Sequence, residues 1–204
     1  MALFDLFIDH LLRRPRGRLA RMMWRDMKSH REIFRDTLAA LNLTPDDNVL
    51  EIGCGGGTFA TQALALGCRM TAVDHSADMV ALTKSANADA VREGRLEVIE
   101  AAAESLPLPD RHFTCATAMN LLFFVPVPAL LTELHRVLAP GGRLVLHTVA
   151  PEPPRSVMPA PLAERVRLHS DTELVAMLEA AGFHQPRVER VRDAYQLVTA
   201  ARPS

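Results

Sequence analysis

A cluster of glycines near the end of the first quarter of the chain constrains the fold more than any other feature. Residues 49–57 read VLEIGCGGG, so a short apolar segment with one acid leads directly into four glycines within five positions. This pattern predicts a strand that ends abruptly in a turn too tight for side chains. A ligand at such a turn lies directly on the main chain. The segment therefore predicts a site for a nucleoside-type cofactor.

Composition narrows the class of protein. The 204 residues suffice for one domain with a continuous core, and 49% apolar with 23% charged residues is typical of a globular chain. A net charge of −1 gives no general attraction to nucleic acid or anionic lipid. No segment approaches the ~18 uninterrupted apolar residues of a membrane span, and the first ten residues lack the positive n-region of a secretory signal. We expect a cytoplasmic location.

The three cysteines do not indicate a metal site. Cys54, Cys68 and Cys115 lack the spacing of metal ligands, and their odd number argues against a disulfide framework. We interpret them as small hydrophobic residues.

From residue 49 onward, apolar strand patterns alternate with helix patterns. The predicted strands are 49–52, 69–73, 96–99, 113–119, 143–149, 183–191 and 195–201, and the predicted helices are 3–12, 17–41, 58–66, 76–92, 127–138 and 171–181. Repeated alternation predicts a parallel sheet with helices on both faces. Three residues between the last two strands predict an antiparallel hairpin. The expected fold is a doubly wound, Rossmann-like α/β domain with a seven-stranded, mainly parallel sheet.

We interpret the chain as one domain with four parts. These parts are an N-terminal helical extension (1–44), a cofactor-binding core (45–149), a proline-rich loop (150–169) and a C-terminal helix with the hairpin (170–204). The extension and the loop are the segments free to form a lid over the site.

Three classes of cofactor use glycines in this way. A P-loop requires Gly-Lys-Ser/Thr after the glycines, and this chain has Gly57-Thr58-Phe59 instead. The dinucleotide fingerprint would use Gly53, Gly55 and position 58, but Thr58 stands where Gly or Ala is needed. An NAD-dependent oxidoreductase is therefore the weaker alternative.

The actual spacing, Glu51-x-Gly53-x-Gly55-x-Gly57, resembles the first motif of the class I S-adenosylmethionine-dependent methyltransferases. Three further segments extend the resemblance over about residues 45–150. They are Asp74-His-Ser-Ala-Asp-Met79, Glu104-Ser-Leu-Pro-Leu-Pro-Asp110 with Phe113, and Leu138-Ala-Pro-Gly-Gly-Arg-Leu-Val-Leu146. The closest similarity is to the small-molecule, quinone-biosynthesis-like (type 11) branch. The resemblance implies that the chain binds S-adenosylmethionine, releases S-adenosylhomocysteine and methylates a small molecule.

The resemblance also implies roles for particular residues. Glu51 would balance the positive end of the cofactor, Asp74 would accept the ribose hydroxyls, and Met79 would flank the adenine. The expected cofactor-binding residues are Glu51, Gly53, Cys54, Gly55, Gly57, Asp74, His75, Met79, Ala102, Ala103, Asn120 and Leu121.

Two positions depart from the family pattern. Ala102 stands where an Asp usually bonds the adenine amino group, and Thr114 replaces the acid after Phe113. Backbone groups at Ala102 and Ala103, or the carboxylates of Glu100 or Glu104, would then have to bind the ring. A non-catalytic relative that only binds the cofactor is an alternative.

The methyl acceptor is expected to be an apolar or amphipathic small molecule. Methyl transfer from a sulfonium needs in-line placement in a dry pocket, and a hydroxyl acceptor also needs a base. His147, at the end of the fifth strand, is a candidate general base, and a hydrogen-bonded structural histidine is the other interpretation. His169 is a weaker candidate.

The basic segment 13–35 carries nine arginines and lysines against Asp26 and Glu32. It is interpreted as a solvated helix face, with contact to a membrane surface as the less favoured reading. We expect no nucleic-acid substrate, because no nucleic-acid motif occurs.

Overall fold

The computed structural model describes residues 15–24, 30–158 and 160–204. The predicted helix over 3–12 lies outside the described residues, as does the segment 25–29 of the predicted helix over 17–41. Two helices are found in the N-terminal part that is described, α1 (Gly17–Trp24) and α2 (Arg31–Leu41). In the described parts of the chain, no helix is long and apolar enough to cross a membrane.

Strands and helices alternate through the rest of the chain. The strands are β1 (Asn48–Ile52), β2 (Arg69–Asp74), β3 (Leu96–Glu100), β4 (Phe113–Met119), β5 (Leu138–Val149), β6 (His184–Val191) and β7 (Tyr195–Ala201). The helices after α2 are α3 (Thr58–Leu64), α4 (Ala77–Ala86), α5 (Ala88–Arg92), α6 (Val127–Val137), α7 (Ala160–Ala163) and α8 (Asp171–Ala180). A capping box begins α8, because Ser170 Oγ accepts from Glu173 N and Glu173 Oε2 accepts from Ser170 N.

The strands form one seven-stranded sheet in the order β3-β2-β1-β4-β5-β7-β6. Neighbouring strands among β1 to β5 are parallel, whereas β7 is antiparallel to both β5 and β6. The predicted fold class is confirmed. The strand order reverses between β1 and β4, and ligands of open α/β sheets bind at such a point, beyond the carboxyl ends of the strands.

The register aligns the carboxyl ends of three strands. Ile52 at the end of β1 pairs with Val73 of β2 and with Ala118 of β4. Gly53 N then donates a 2.7 Å hydrogen bond to the carbonyl of Val73. The residues that follow these strands therefore meet at one edge of the sheet.

Helices cover both faces of the sheet over apolar cores. On one face, α6 contributes Val127, Leu130, Leu131 and Leu134, a spacing that places all four on the same side of a helix. On the other face, α2 and α3 contribute Phe34 and Phe59, among others. The three cysteines are free thiols and are buried.

The predicted helix over 76–92 is two helices with a break at Asn87. The Asn87 amide donates to the carbonyls of Gly57 (3.3 Å) and Thr83 (3.1 Å), and its oxygen accepts from Thr61 Oγ1 at 2.7 Å. These contacts tie the helix break to the glycine turn. Sequence periodicity does not detect such long-range hydrogen bonds.

Strand β5 begins five residues earlier than predicted. Residues 139–142 were expected to form a turn, but the carbonyl of Gly142 accepts from Arg202 N at 2.8 Å, and Gly141 N donates to the carbonyl of Arg202 at 3.1 Å. The end of the chain therefore continues the sheet along this segment.

Candidate active site

The glycine turn joins β1 to α3 at the edge of the sheet. Gly57 has φ of +80° and is the residue before α3, and a Cβ at this position would lie 2.8 Å from Asn87 Nδ2 and 3.0 Å from Thr83 Cα. A side chain is therefore excluded both by the backbone conformation and by space. The predicted strand–turn–helix geometry is confirmed.

Two neighbouring cavities lie along this turn. The first has a volume of about 80 Å³ and the second, between the end of β2 and residues 101–104, about 210 Å³. The first is lined by Pro15, Trp24, His30, Phe34, Glu51, Gly53, Cys54, Gly55, Gly56, Thr58, Asp74, His75, Met119, Asn120, Leu121 and Phe124. The second is lined by Ile52, Gly53, Val73, Asp74, His75, Ala101, Ala102, Ala103, Glu104, Leu121, Phe124, Val125 and Pro126. Asp74 belongs to both walls.

We call the wall of the first cavity formed by Glu51, Gly53, Gly55, Asp74 and Asn120 the floor. Asp74 is buried, and its two carboxylate oxygens accept from Gly55 N at 3.0 Å and from Ser76 N at 2.9 Å. His75 Nδ1 lies 3.5 Å from Asp74 Oδ1. Burial raises the pKa of Asp74, and the hydrogen bonds from Ser76 and Gly55 oppose that rise. The carboxylate is thus held in place with capacity to accept further hydrogen bonds.

Glu51 is 1% exposed at the end of β1. Its Oε2 atom has no hydrogen-bond partner among the described residues. Burial, and secondarily the charge of Asp74, raises the pKa of Glu51 well above its ordinary value. A cation or hydrogen-bond donors that enter the cavity would stabilise the ionised form of this buried carboxyl group.

Asn120 follows β4 and has φ of +50°, which is unusual for a residue with a side chain. Its backbone N–H donates to the carbonyl of His147 at 2.7 Å, which holds the turn against β5. Its side-chain Oδ1 is buried and has no partner in the described part of the chain. Strained backbone together with an unpaired acceptor is typical of a ligand site.

Most of the side chains that line the second cavity are apolar, and Asp74, His75 and Glu104 are the charged or polar ones. Ala102 and Ala103 line it as predicted, and Ala102 forms a bridge with Ser105, whose N–H donates to the Ala102 carbonyl at 3.2 Å. Glu104 belongs to this wall. Glu100 and Glu104 were the carboxylates considered as substitutes for the Asp that Ala102 replaces, and of these two Glu104 lines the cavity.

Thr114, the other departure from the family pattern, lies far from both cavities and has a structural role. Its Oγ1 donates to Asp47 Oδ1 at 2.6 Å and accepts from Asn48 N at 3.0 Å. Asp47 also accepts from Arg143 Nη2 at 2.9 Å, and these bonds lower the pKa of Asp47 against the effect of burial. The hydroxyl joins β4 to the start of β1.

Three predicted site residues do not line either cavity. Gly57 caps α3, as described above. Met79 lies in the first turn of α4 and is fully buried, and its N–H donates to Ser76 Oγ at 3.4 Å. Cys54, by contrast, does line the first cavity, although its thiol faces Thr83 Oγ1 at 3.4 Å and burial raises its pKa well above the ordinary value.

His147 is the third predicted site residue that lines neither cavity. Its side chain is 0% exposed, and its ring lies 5.2 Å from the ring of Tyr195. Neither ring nitrogen has a hydrogen-bond partner among the residues that the structure describes, and burial lowers its pKa to about 4. No contact supports the base role assigned to it, which stays a prediction.

The opposite wall of the first cavity, which we call the roof, comes from residues 15–24 and 30–34. All of these residues lie in the extension 1–44 that was expected to be free to form a lid, but His30 and Phe34 belong to no motif and were missed. A Cβ on Gly55 would lie 2.9 Å from the Trp24 ring, and a Cβ on Gly56 would lie 1.9 Å from the Trp24 carbonyl oxygen. The bare backbone of the turn is therefore covered in part by the chain itself.

The roof is attached to the first turn of α4. Gly17 N donates to Asp78 Oδ2 at 2.6 Å, Arg21 Nη1 lies 3.2 Å from Asp78 Oδ1, and Ser76 Oγ donates to the Pro15 carbonyl at 2.5 Å. Arg21, one residue of the basic segment, is thus paired with an acid. Membrane contact by that segment stays a prediction.

The described part of the proline-rich loop contributes no lining residue to the two cavities. Within 150–158 and 160–168, no residue lines either cavity. Its lid role stays a prediction without a supporting contact.

A doubly wound sheet whose switch point carries a glycine turn and a buried strand-end acid is a nucleoside-cofactor-binding domain of the Rossmann-like class. A family profile described as "Methyltransferase domain" matches residues 50–146. The ubiquinone/menaquinone biosynthesis C-methyltransferase of Pseudomonas paraeruginosa is 30% identical over 184 residues, which cover 76% of this chain and 72% of that protein. The chain belongs to the class I S-adenosylmethionine-dependent methyltransferases of the small-molecule type.

Two further comparisons agree. The mitochondrial ubiquinone biosynthesis O-methyltransferase of Schizosaccharomyces pombe is 36% identical over 137 residues, which are 66% of this chain but 48% of that protein. The chain therefore matches only about half of that relative's length. Phosphoethanolamine N-methyltransferase 2 of Haemonchus contortus, solved with S-adenosylmethionine, shares the fold with a TM-score of 0.79 and 14% identity over 98% of this chain and 60% of that one. The oxidoreductase alternative is set aside.

Proposed function

We propose that the chain transfers the methyl group of S-adenosylmethionine to an aromatic, quinone-precursor-type small molecule. The observation that carries the proposal is the position of Asp74 at the junction of the two cavities. On one side lie two buried acceptors without partners among the described residues, Glu51 and Asn120. On the other side lies the apolar wall of residues 101–103. This order suits an amino acid, a ribose and a base in sequence.

Each part of the floor has a distinct role in this proposal. The Asp74 carboxylate accepts the two ribose hydroxyls, for which an acid at the end of the second strand is suited. Glu51 and Asn120 accept hydrogen bonds from the ammonium group of the methionine moiety. When bound, the cofactor supplies an electrophilic methyl group on a sulfonium. The chain holds the acceptor in line with that group and excludes water.

The acceptor class follows from the roof and from the relatives. Trp24, Phe34 and Phe124 give the first cavity aromatic walls, which suit a planar apolar ring. Curated relatives carry names that place them in ubiquinone or menaquinone biosynthesis. The roof is then the described part of a lid formed by residues 1–44.

Calorimetry with S-adenosylmethionine, S-adenosylhomocysteine and NAD tests the cofactor assignment. We expect the first two to bind and NAD not to bind; binding of NAD alone contradicts the proposal. Transfer of a labelled methyl group to a panel of phenols and hydroquinones, with fatty acids as the non-aromatic control, tests the acceptor class.

A second candidate is a protein that binds the cofactor without transferring its methyl group. The observation that favours it is Trp24, which covers Gly55 and Gly56 in the structure. Cofactor binding without any methylated product from the panel supports this second candidate.

A further inference from the structure

The roof places an imidazole in the first cavity. His30 is the residue immediately before α2, and it lines the same cavity as Glu51, Met119 and Asn120. Its ring lies 6.0 Å from the ring of Phe34, on the next turn of the helix. The imidazole therefore stands among the aromatic side chains proposed to hold the acceptor.

The other ionisable side chains that line this cavity are Glu51, Cys54, Asp74 and His75. Glu51 is buried, and burial raises its pKa well above the ordinary value. The Cys54 thiol is in contact with Thr83 Oγ1. His75 Nδ1 lies 3.5 Å from Oδ1 of Asp74, the residue assigned to the ribose. Among the described residues of the roof, His30 is the one that carries an imidazole, and it lines the cavity together with Trp24 and Phe34.

Burial lowers the pKa of His30, which favours the neutral form of the ring. Behind it, His147 is close enough that a charge on His30 further lowers the pKa of His147. Asp36 and Arg192 act on His147 in opposite directions.

We propose that His30 is the catalytic base that removes the proton from a phenolic hydroxyl of the acceptor. This inference rests on the proposed function. The proton of the hydroxyl moves to the imidazole of His30, and an oxygen lone pair forms the bond to the methyl carbon. The carbon–sulfur bond breaks, and its electron pair stays on sulfur, which becomes a neutral thioether. The imidazolium of His30 then releases its proton to water.

The acceptor class that this implies is a phenol or catechol with an aromatic ring between Trp24, Phe34 and Phe124. A phenol is only slightly ionised near neutral pH, and its neutral oxygen is a weak nucleophile. General bases typically contribute about 10²–10⁴-fold in rate. Deprotonation by a neutral imidazole at this position fits that requirement.

The test uses 4-nitrocatechol, whose phenolate absorbs visible light, and needs no turnover. The full-length protein is saturated with S-adenosylhomocysteine at a pH below the pKa of the probe, and the probe is added. We expect a phenolate band in the wild type, a band at least about tenfold weaker in His30→Gln, and an unchanged band in the control His184→Gln, an exposed residue of β6.

The possible outcomes distinguish a failure of the His30 proposal from a failure of the proposed function. Absence of S-adenosylhomocysteine binding to the wild type overturns the proposed function itself. Cofactor binding with no phenolate band in the wild type, or with an equal band in His30→Gln, overturns the role of His30 alone. Loss of the band in His147→Gln but not in His30→Gln assigns the base to His147 and also overturns the proposal.

Turnover gives an independent readout. His30→Gln should methylate catechol at least about 10²-fold more slowly than the wild type. It should methylate 4-nitrocatechol, at a pH where that phenol is already ionised, within a few-fold of the wild type. A merely structural role for His30 predicts equal losses with both phenols, and that result overturns the proposal. Calorimetry with S-adenosylhomocysteine checks that the variant is folded.

Discussion

The floor and the roof of the first cavity are built in different ways. The floor consists of polar groups at the ends of three paired strands, and the strand register fixes their positions. The roof is largely aromatic and is held at α4 by hydrogen bonds to Asp78 and from Ser76. In such a site, the floor can bind the same cofactor while the roof determines how ligands enter and which methyl acceptor fits.

The largest expected effect comes from Asp74 in the floor. Asp74→Asn removes the charged acceptor for both ribose hydroxyls, and a hydrogen bond to a charged group contributes about 1.5–3 kcal/mol. We expect S-adenosylhomocysteine to bind about 100-fold more weakly by calorimetry, with Asp89→Asn on the exposed surface of α5 as the control. Affinity of Asp74→Asn within threefold of the wild type contradicts the ribose assignment.

This floor is also the part that the sequence predicts well. The motifs pointed to Glu51, Gly53, Asp74 and Asn120, because each lies within one or two residues of the end of a strand whose apolar pattern is local. The roof was predicted less well. His30 and Phe34 reach the cavity through the packing of α2 on the sheet, and neither residue type nor spacing indicates that contact.

The same contrast explains why Met79 and His147 line neither cavity. Met79 and His147 occupy motif or strand-end positions, yet their side chains point into buried packing. Strand periodicity gives the face on which a side chain lies only when that face differs in polarity from the other. Both faces of this sheet are covered by helices, so a polar residue at a strand end does not reveal its side.

Steric contact between floor and roof supplies the second prediction. Gly56→Ala places a methyl group where the Trp24 carbonyl lies, and overpacking of this kind typically costs about 1–3 kcal/mol. We expect lower stability in urea unfolding and a shifted Trp24 emission, which is specific because the chain has a single tryptophan. Gly94→Ala is the control for the emission change: nothing lies within 4 Å of its added methyl group, although its φ of +69° means that alanine there also costs stability. Trp24 emission that is unchanged in both variants would show that the roof does not contact the turn.

The third prediction concerns the buried acid of the floor. The pKa of Glu51 is raised on folding, so between pH 4.5 and the folded pKa the folded state binds more protons than the unfolded state. Stability therefore falls as pH rises, by up to about 1.4 kcal/mol per pH unit.

Glu51→Gln removes this dependence. We expect the variant to be more stable than the wild type at pH 8 and equal to it near pH 4.5 in thermal unfolding scans. A variant that is less stable at pH 8 contradicts the burial of an unpaired carboxyl group. Glu97→Gln, on the exposed side of β3, is the control.

The smallest effect is expected at the attachment of the roof. Asp78→Asn weakens a partly exposed ion pair with Arg21, and such pairs contribute about 0–1 kcal/mol. Global stability should hardly change, but acrylamide should quench Trp24 emission more strongly because the roof opens more often. Asp110→Asn, which weakens a similar pair with Arg136 away from the site, should leave the quenching unchanged. Equal quenching in Asp78→Asn and the wild type would mean that other contacts hold the roof.

The most direct test of the whole account is a fluorescence titration of the wild-type protein with S-adenosylhomocysteine. Because Trp24 lies on Gly55 and Gly56, a ligand on the floor must change its environment. The account predicts a saturable change in Trp24 emission that NAD does not produce and that Asp74→Asn shifts to about 100-fold higher ligand concentration. A response to NAD with none to S-adenosylhomocysteine would contradict it.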